Sequence, residues 1–311
     1  MRITNGMILS NYMDNLNKNL ARMDKYQKQI ATNKRITKLS DDPVGAISTM
    51  RCRVKLYRIE QYKKNIDNAQ TWLKQTETSV LEMNEVIKSA YETCVHVAND
   101  YMSSAEKNAA AELIGQLRDH ALMIGNSKSG DKYVFAGHNT GNPPFTLDGS
   151  GNILYNGLNL ENDTNPDLIA EDNKSIVYEI GYHMNMQVTL PGTKLMDMGE
   201  NNIHSVLDDL YTAMKGDASA EQLSGYIDKL QGCQNHLMAV EAEIGGKVNR
   251  LELVANRYDE DFINYTELKS SIEDVDLAEA TMLYTMAESV YMAALRIGAN
   301  IIQPSLADFL D

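Results

Sequence analysis

Six histidines, His96, His120, His138, His183, His204 and His236, are the side chains here best suited to hold a metal or move a proton. None of them forms an HxxxH or HExxH pair, so each reads as a surface or locally bonded residue rather than a ligand. Cys52, Cys94 and Cys233 lie far apart with no CxxC and read as buried thiols acting as small apolar side chains. The paired acids Asp41 and Asp42 could share a proton. Their place before Pro43 points instead to a helix start, where a carboxylate accepts from free backbone amides and proline suits the first turn. No phosphate loop, dinucleotide fingerprint or nucleophile elbow is present. Met7, Met13 and Met23 read as adaptable packing rather than a metal box. Asn162-Asp163-Thr164 matches a glycosylation sequon, a weak three-residue signal. The sequence thus offers no catalytic residue, no metal ligand set and no cofactor site. What remains is the chemistry of packing.

Two segments carry it. Leu9, Met13, Leu16, Leu20, Met23 and Ile30 recur at steps of four and three, with Gln27 breaking the stripe. Ala280, Leu283, Ala287, Val290, Ala294, Ile297 and Ile301 do the same without a break. This alternation marks helices that pack along a shared seam, so these residues are the candidate assembly interface. A second apolar row, Tyr284, Tyr291, Leu295 and Ile302, lies on another face of the C-terminal helix, and a helix apolar on two faces is enclosed by several neighbours. The two ends are therefore expected to be weakly ordered alone and to order on assembly.

The elements between them follow from the same reading. A first helix is expected over 10–32. A second, starting at Asp42-Pro43, carries Cys52, Ile59, Ile66, Leu73, Val80, Ile87, Cys94 and Tyr101 in one row, and Tyr62, Ala69, Thr76, Met83, Ala90 and Val97 in another. A rod of that length suits a shaft better than a compact enzyme. A third helix fits 105–127, with Ala110, Ile114, Leu117, Ala121 and Ile124 on its stripe. Residues 131–200 change character. They are glycine-rich and hold four of the six prolines, and short strands are expected at 133–135, 153–155, 176–180 and 186–190, with a hairpin turn at 148–152. Helix returns at 203–215 and again over 220–269, where Gly245-Gly246 is an expected weak point. The last helix starts near Asp276, with Glu279 completing a capping-box pattern. The fold class is mainly α with a β-rich insertion: an antiparallel long-helix bundle built from both termini plus a small outer β domain. Its expected parts are 1–42 with 270–311 as a terminal coiled-coil segment, 43–130 with 203–269 as a long-helix rod, and 131–202 as the insertion.

Charge narrows the partners. The formal net charge of −14 opposes general nucleic-acid binding, which needs cations to displace counterions. The charge is polarised: residues 1–75 hold 15 Lys/Arg and 6 Asp/Glu, whereas residues 250–311 hold 4 and 12, so unlike ends attract and like ends repel. The first twenty residues are too polar for a cleavable signal, and no apolar run would span a bilayer, so no membrane insertion is expected.

These residues resemble a family. Thr32-Asn33-Lys34-Arg35-Ile36 with Ser40-Asp41-Asp42-Pro43-Val44-Gly45-Ala46 is similar to the N-terminal signature of bacterial flagellins and their junction proteins. Ile272-Glu273-Asp274-Val275-Asp276-Leu277-Ala278-Glu279-Ala280 and the ending Gln303-Pro304-Ser305-Leu306-Ala307-Asp308-Phe309-Leu310 resemble their C-terminal signature. Tyr133-Val134-Phe135-Ala136-Gly137-His138-Asn139-Thr140, with Pro143-Pro144-Phe145, looks like the hook–filament junction branch, the hook-associated proteins of type 3. Asn33, where the family more often has glycine, and the cysteines are departures. The resemblance implies a structural axial protein of the bacterial flagellum, extracellular and exported through the flagellar type III channel without a cleaved signal. It implies as partners further copies of itself in a ring-like layer, the other hook–filament junction protein, flagellin and a cytoplasmic export chaperone. Two other readings stay open at this point: flagellin itself, and an enzyme or ligand-binding domain within 131–200.

Overall fold

The two rows read on the second helix are its buried faces. In the computed structural model, Ile66, Leu73, Val80, Ile87 and Cys94, and Ala69, Thr76, Met83, Ala90 and Val97, are all almost fully enclosed. The structure describes residues 5–98, 103–149, 151–161, 168, 174–199, 201–216 and 220–301. Tyr101, the sequon and the 303–310 ending lie outside them, as do Ile302 and the side chain of Ile301.

The helices are α1 (Asn5–Thr32), α2 (Pro43–Ala98), α3 (Ser104–Gly125), a five-residue α4 (Gly192–Met196), α5 (Ile203–Lys215), α6 (Ala220–Glu273) and α7 (Leu277–Ile301). The strands are β1 (Lys128–Ser129), β2 (Lys132–Tyr133), β3 (Phe145–Leu147), β4 (Ile153–Tyr155), β5 (Leu158–Asn159), β6 (Val177–Gly181) and β7 (Met184–Gln187). They form an antiparallel β1–β2 hairpin, a β3-β4-β5 sheet and a β6–β7 hairpin with a bulge at Glu179/Gly181. At 1.5 Å per residue the 56-residue α2 has a contour of about 84 Å. Helix α6 continues through Gly245-Gly246, the expected weak point, and through residue 269, the expected end, to Glu273.

Two units are distinguished by contact density: residues 1–59 with 259–311, and residues 60–258. In the second unit, α6 contributes Leu223, Leu230, Leu237, Ile244, Leu251 and Tyr258, again seven apart and all buried. Helix α3 packs on α5, with Gly115 against the Tyr211 ring and Arg118 paired with Asp208; Ala111, Ile114, Ala121 and Ile124 on α3 and Val206, Leu207, Leu210 and Met214 on α5 are buried. Ser103 and Glu106 form a reciprocal capping box that starts α3.

The β segment is fixed to these helices by backbone mimicry. Asn126, just past α3, donates from Nδ2 to the Phe145 carbonyl (2.9 Å) and accepts from the Phe145 amide (3.0 Å), so one side chain pairs with β3 as a strand would. Phe145 and Tyr155 stack at a tilt with centroids 5.4 Å apart, and the Tyr155 hydroxyl donates to the Phe135 carbonyl at 3.1 Å. Gly192 lies where a Cβ would come within 2.5 Å of both rings. Val134, Phe135 and Ala136 are buried but leave the ladder after Tyr133, so the strand expected at 133–135 is confined to its first residue. Asn65 on α2 donates to the Glu179 carbonyl at 2.8 Å and ties down the β6–β7 hairpin.

Candidate assembly interface

The first unit is built from the two chain ends. Helices α1 and α7 run antiparallel: the Tyr12 hydroxyl donates to the Ala294 carbonyl at 3.1 Å, whereas Lys34, beyond the far end of α1, bridges to Asp274, before α7. Gly298 sits directly under the Tyr12 ring, where any Cβ would overlap it. The seam between the helices therefore depends on small residues: Ala280 is buried, Ala287 and Ala294 are half-buried, and Gly298 is covered by Tyr12.

The structure divides the residues picked from the sequence stripe. Leu16, Met23 and Ile30 on α1 and Ala280, Leu283, Ala287 and Ala294 on α7 are buried or half-buried. Leu9, Met13 and Leu20 on α1 and Val290 and Ile297 on α7 remain exposed, Ile297 by 57%. Met282, Met286, Met292 and Leu295 add to the exposed apolar surface of α7. Each helix thus has a covered row within the pair and an uncovered row beside it.

The corner that orients this pair is the part sequence reasoning missed. Asn33 stands at φ +55°, the left-handed conformation that lets a helix stop, and asparagine is among the few residues besides glycine that adopt it readily. This accounts for its place where the family favours glycine. The Arg35 amide then donates to the Glu273 carbonyl (2.7 Å) and the Val275 amide to the Asn33 carbonyl (3.2 Å), joining the α1–α2 connector to the α6–α7 connector. Gln29 donates to the Arg35 carbonyl at 2.8 Å. The Glu273 carboxylate is enclosed and receives ion pairs from both Lys34 and Arg53. Burial opposes its charge, but the two cations outweigh burial and hold its pKa below the usual glutamate value. The two signature segments meet at this one carboxylate. The sequence signal was only a glutamate opening an acidic run, Glu273-Asp274-Val275-Asp276.

The acids weighed earlier have local duties. Asp42 Oδ1 accepts from the Gly45 amide at 2.9 Å and caps α2. Asp41 accepts from the Lys38 amide at 2.9 Å and from Thr37, and the Lys38 bond leads in lowering its pKa. Asp276 Oδ1 accepts from the Ala278 and Glu279 amides and starts α7. All three cysteines are buried and unpaired, and burial pushes the Cys94 and Cys233 thiols up to about 11. His204 is buried, which lowers its pKa. Among the described residues, no three His, Cys, Asp or Glu side chains gather as a metal site would require. No described helix is long and apolar enough to cross a membrane.

The bacterial flagellin N-terminal helical region matches residues 3–140. The flagellar hook-associated protein 3 of Escherichia coli (strain K12) is 25% identical over 323 aligned positions that cover 95% of each chain. The chain is thus similar to flagellar hook-associated protein 3 over nearly its whole length, and to flagellins in its N-terminal helical region. Solved structures share the fold: the flagellar junction protein FlgL of Legionella pneumophila (TM-score 0.60, 13% identity, 74% of this chain and 100% of that one) and Bacillus cereus FlgL (TM-score 0.56, 19% identity, 71% and 99%). The hook-associated relatives are named for a part of the flagellum and not for a reaction, and the Legionella protein is named a junction protein. Their names place those relatives in the flagellum.

Proposed function

We propose that this chain is a structural, non-catalytic adaptor between hook and filament, and that its mechanism is helix packing. One observation carries the reading: the antiparallel pair α1–α7, formed from the two chain ends, leaves an apolar row of each helix exposed. Fully burying a Leu, Ile, Val or Met side chain contributes roughly 1.5–3 kcal/mol. Covering the exposed halves of Leu9, Met13, Leu20, Val290 and Ile297 by neighbouring subunits would therefore supply several kcal/mol per copy, against the ordering cost of association.

In this reading residues 1–42 and 270–311 form the inner coiled-coil layer, 43–130 and 203–269 the rod, and 131–202 the outward insertion. The partners are further copies in a ring-like layer, the other junction protein on the hook side and flagellin on the filament side. A cytoplasmic export chaperone holds the chain before it leaves unfolded through the flagellar channel, with no signal cleaved. Chains lacking residues 1–30 or 281–311 should be missing from flagella while the 60–258 unit keeps its helical circular dichroism. Normal motility of cells carrying either truncation as their sole copy would overturn the proposal.

A further inference from the structure

A second pair of uncovered faces lies in the same unit, away from the α1–α7 seam. Over its first turns α2 buries Ala46, Thr49, Cys52, Leu56 and Ile59 on one side. On the opposite side Ile47, Met50, Val54 and Tyr57 recur at steps of three, four and three and face solvent, Val54 by 53% and Tyr57 by 71%. A helix apolar on both sides has room for a neighbour on the second. Residues 44–58 also contain Arg51, Arg53, Lys55 and Arg58 and no acid. Arg53 is engaged with Glu273, whereas Arg51, Lys55 and Arg58 are exposed and carry no ion pair within the described residues.

The complementary face is on α6. Residues 259–268 contain Asp259, Glu260, Asp261 and Glu267 and no base. Glu260, Ile263 and Glu267, at steps of three and four, face away from the half-buried Phe262 and Tyr265. Ile263 is 57% exposed, and Glu260 and Glu267 form no ion pair within the described residues. One face is apolar with a cationic border, and the other is apolar with an anionic border.

We infer that the basic outer face of α2 in one copy docks on the acidic outer face of α6 in a second copy of this chain. Charge fixes the arrangement. Pairing two α2 faces would set Arg51, Lys55 and Arg58 against one another, and pairing two α6 faces would do the same to the acids, so only the unlike contact is attractive. Such a contact is head-to-tail and propagates into a ring or helical row instead of closing as a two-fold dimer. It rests on the reading that the chain assembles, and it names a lateral contact separate from the terminal seam. A handful of residues per side is well short of the roughly 20–30 of a stable interface, so the contact is weak between isolated copies and gains strength in a lattice.

Cross-linking the full chain at high concentration tests this without flagella. One chain carries Val54→Cys and another Ile263→Cys; the native thiols are buried, and the chain without an added cysteine is the background control. Oxidation of the mixture should give a mixed disulfide dimer at least fivefold above either chain alone. Arg51→Glu with Arg58→Glu in the first chain should cut that yield about tenfold. Adding Glu260→Lys with Glu267→Lys to the second should restore it. All four positions are exposed, and circular dichroism verifies folding of each variant. Equal yields for like and unlike pairs, no cross-link above background, or a yield indifferent to the charge swaps would overturn the inference. Cross-linking of the Val54→Cys chain only to added purified flagellin that carries an introduced surface cysteine would assign the face to that partner and overturn it too. Because the readout is dimer yield, it fails or succeeds independently of where the protein sits on the flagellum.

Discussion

Replacing Glu273 by alanine removes the acceptor shared by Lys34 and Arg53 and frees the corner that holds the terminal helix pair. A hydrogen bond to a charged group contributes roughly 1.5–3 kcal/mol net. Lys34 and Arg53 are about half-exposed and regain water when the carboxylate goes, which reduces the loss, so the corner should weaken by about 2 kcal/mol in all. Removing both cations instead strands a buried carboxylate, which costs about 3–5 kcal/mol. The double variant Lys34→Ala/Arg53→Ala should therefore be worse than Glu273→Ala. Hydrogen exchange by mass spectrometry over residues 30–36 and 272–280 reads the corner directly, since the Arg35 and Val275 amides cross it. A loss of about 2 kcal/mol is roughly a 30-fold fall in protection, at 1.4 kcal/mol per tenfold. The pH dependence has a defined sign. The folded pKa of Glu273 is lowered, so between the folded and unfolded values the unfolded state binds more protons. The gap between the parent chain and Glu273→Ala should be full above the ordinary glutamate pKa and close as pH falls through the lower folded value. Unchanged protection in Glu273→Ala, a milder effect from removing both cations, or a gap that widens in acid would refute this account of the corner.

Gly298→Val would drive a side chain into the Tyr12 ring and should separate α1 from α7, seen as lost protection in both helices with the 60–258 unit unchanged. Tyr12→Phe, which removes only the bond to the Ala294 carbonyl, should cost about 1 kcal/mol by the same exchange measurement. Gly192→Ala should destabilise the β segment by about 1–3 kcal/mol in urea unfolding, because its methyl would meet Phe145 and Tyr155. Cys94 and Cys233, with thiols pushed up to about 11 and buried, should resist iodoacetamide at pH 8 in the native chain and react on unfolding.

What could be read from residue types alone tracks how strongly burial repeats. The rows from Ile66 to Cys94 and from Ala69 to Val97 on α2 were legible because a sustained seven-residue repeat has one packing solution. The pairing of the ends was legible for the same reason. Which residues of α1 turn toward α7 was not, because the contact that fixes it is Tyr12 over Gly298, and neither residue stands out in an apolar stripe. Strand β3 was missed because Pro143-Pro144 reads as punctuation, and its pairing partner on the helix side is the side chain of Asn126, which has no periodic signal. The Glu273 corner was hidden because three acids stand within four residues and only tertiary contact singles out the buried one. Helix α4, five residues long, carries too few turns for any periodicity.

The central claim is that this chain occupies a junction and does not build the filament. Immunogold labelling of sheared flagella with an antibody to the chain tests it most directly. Gold confined to the hook-proximal end is the result this account predicts. Gold along the filament length would contradict it and make the chain a flagellin.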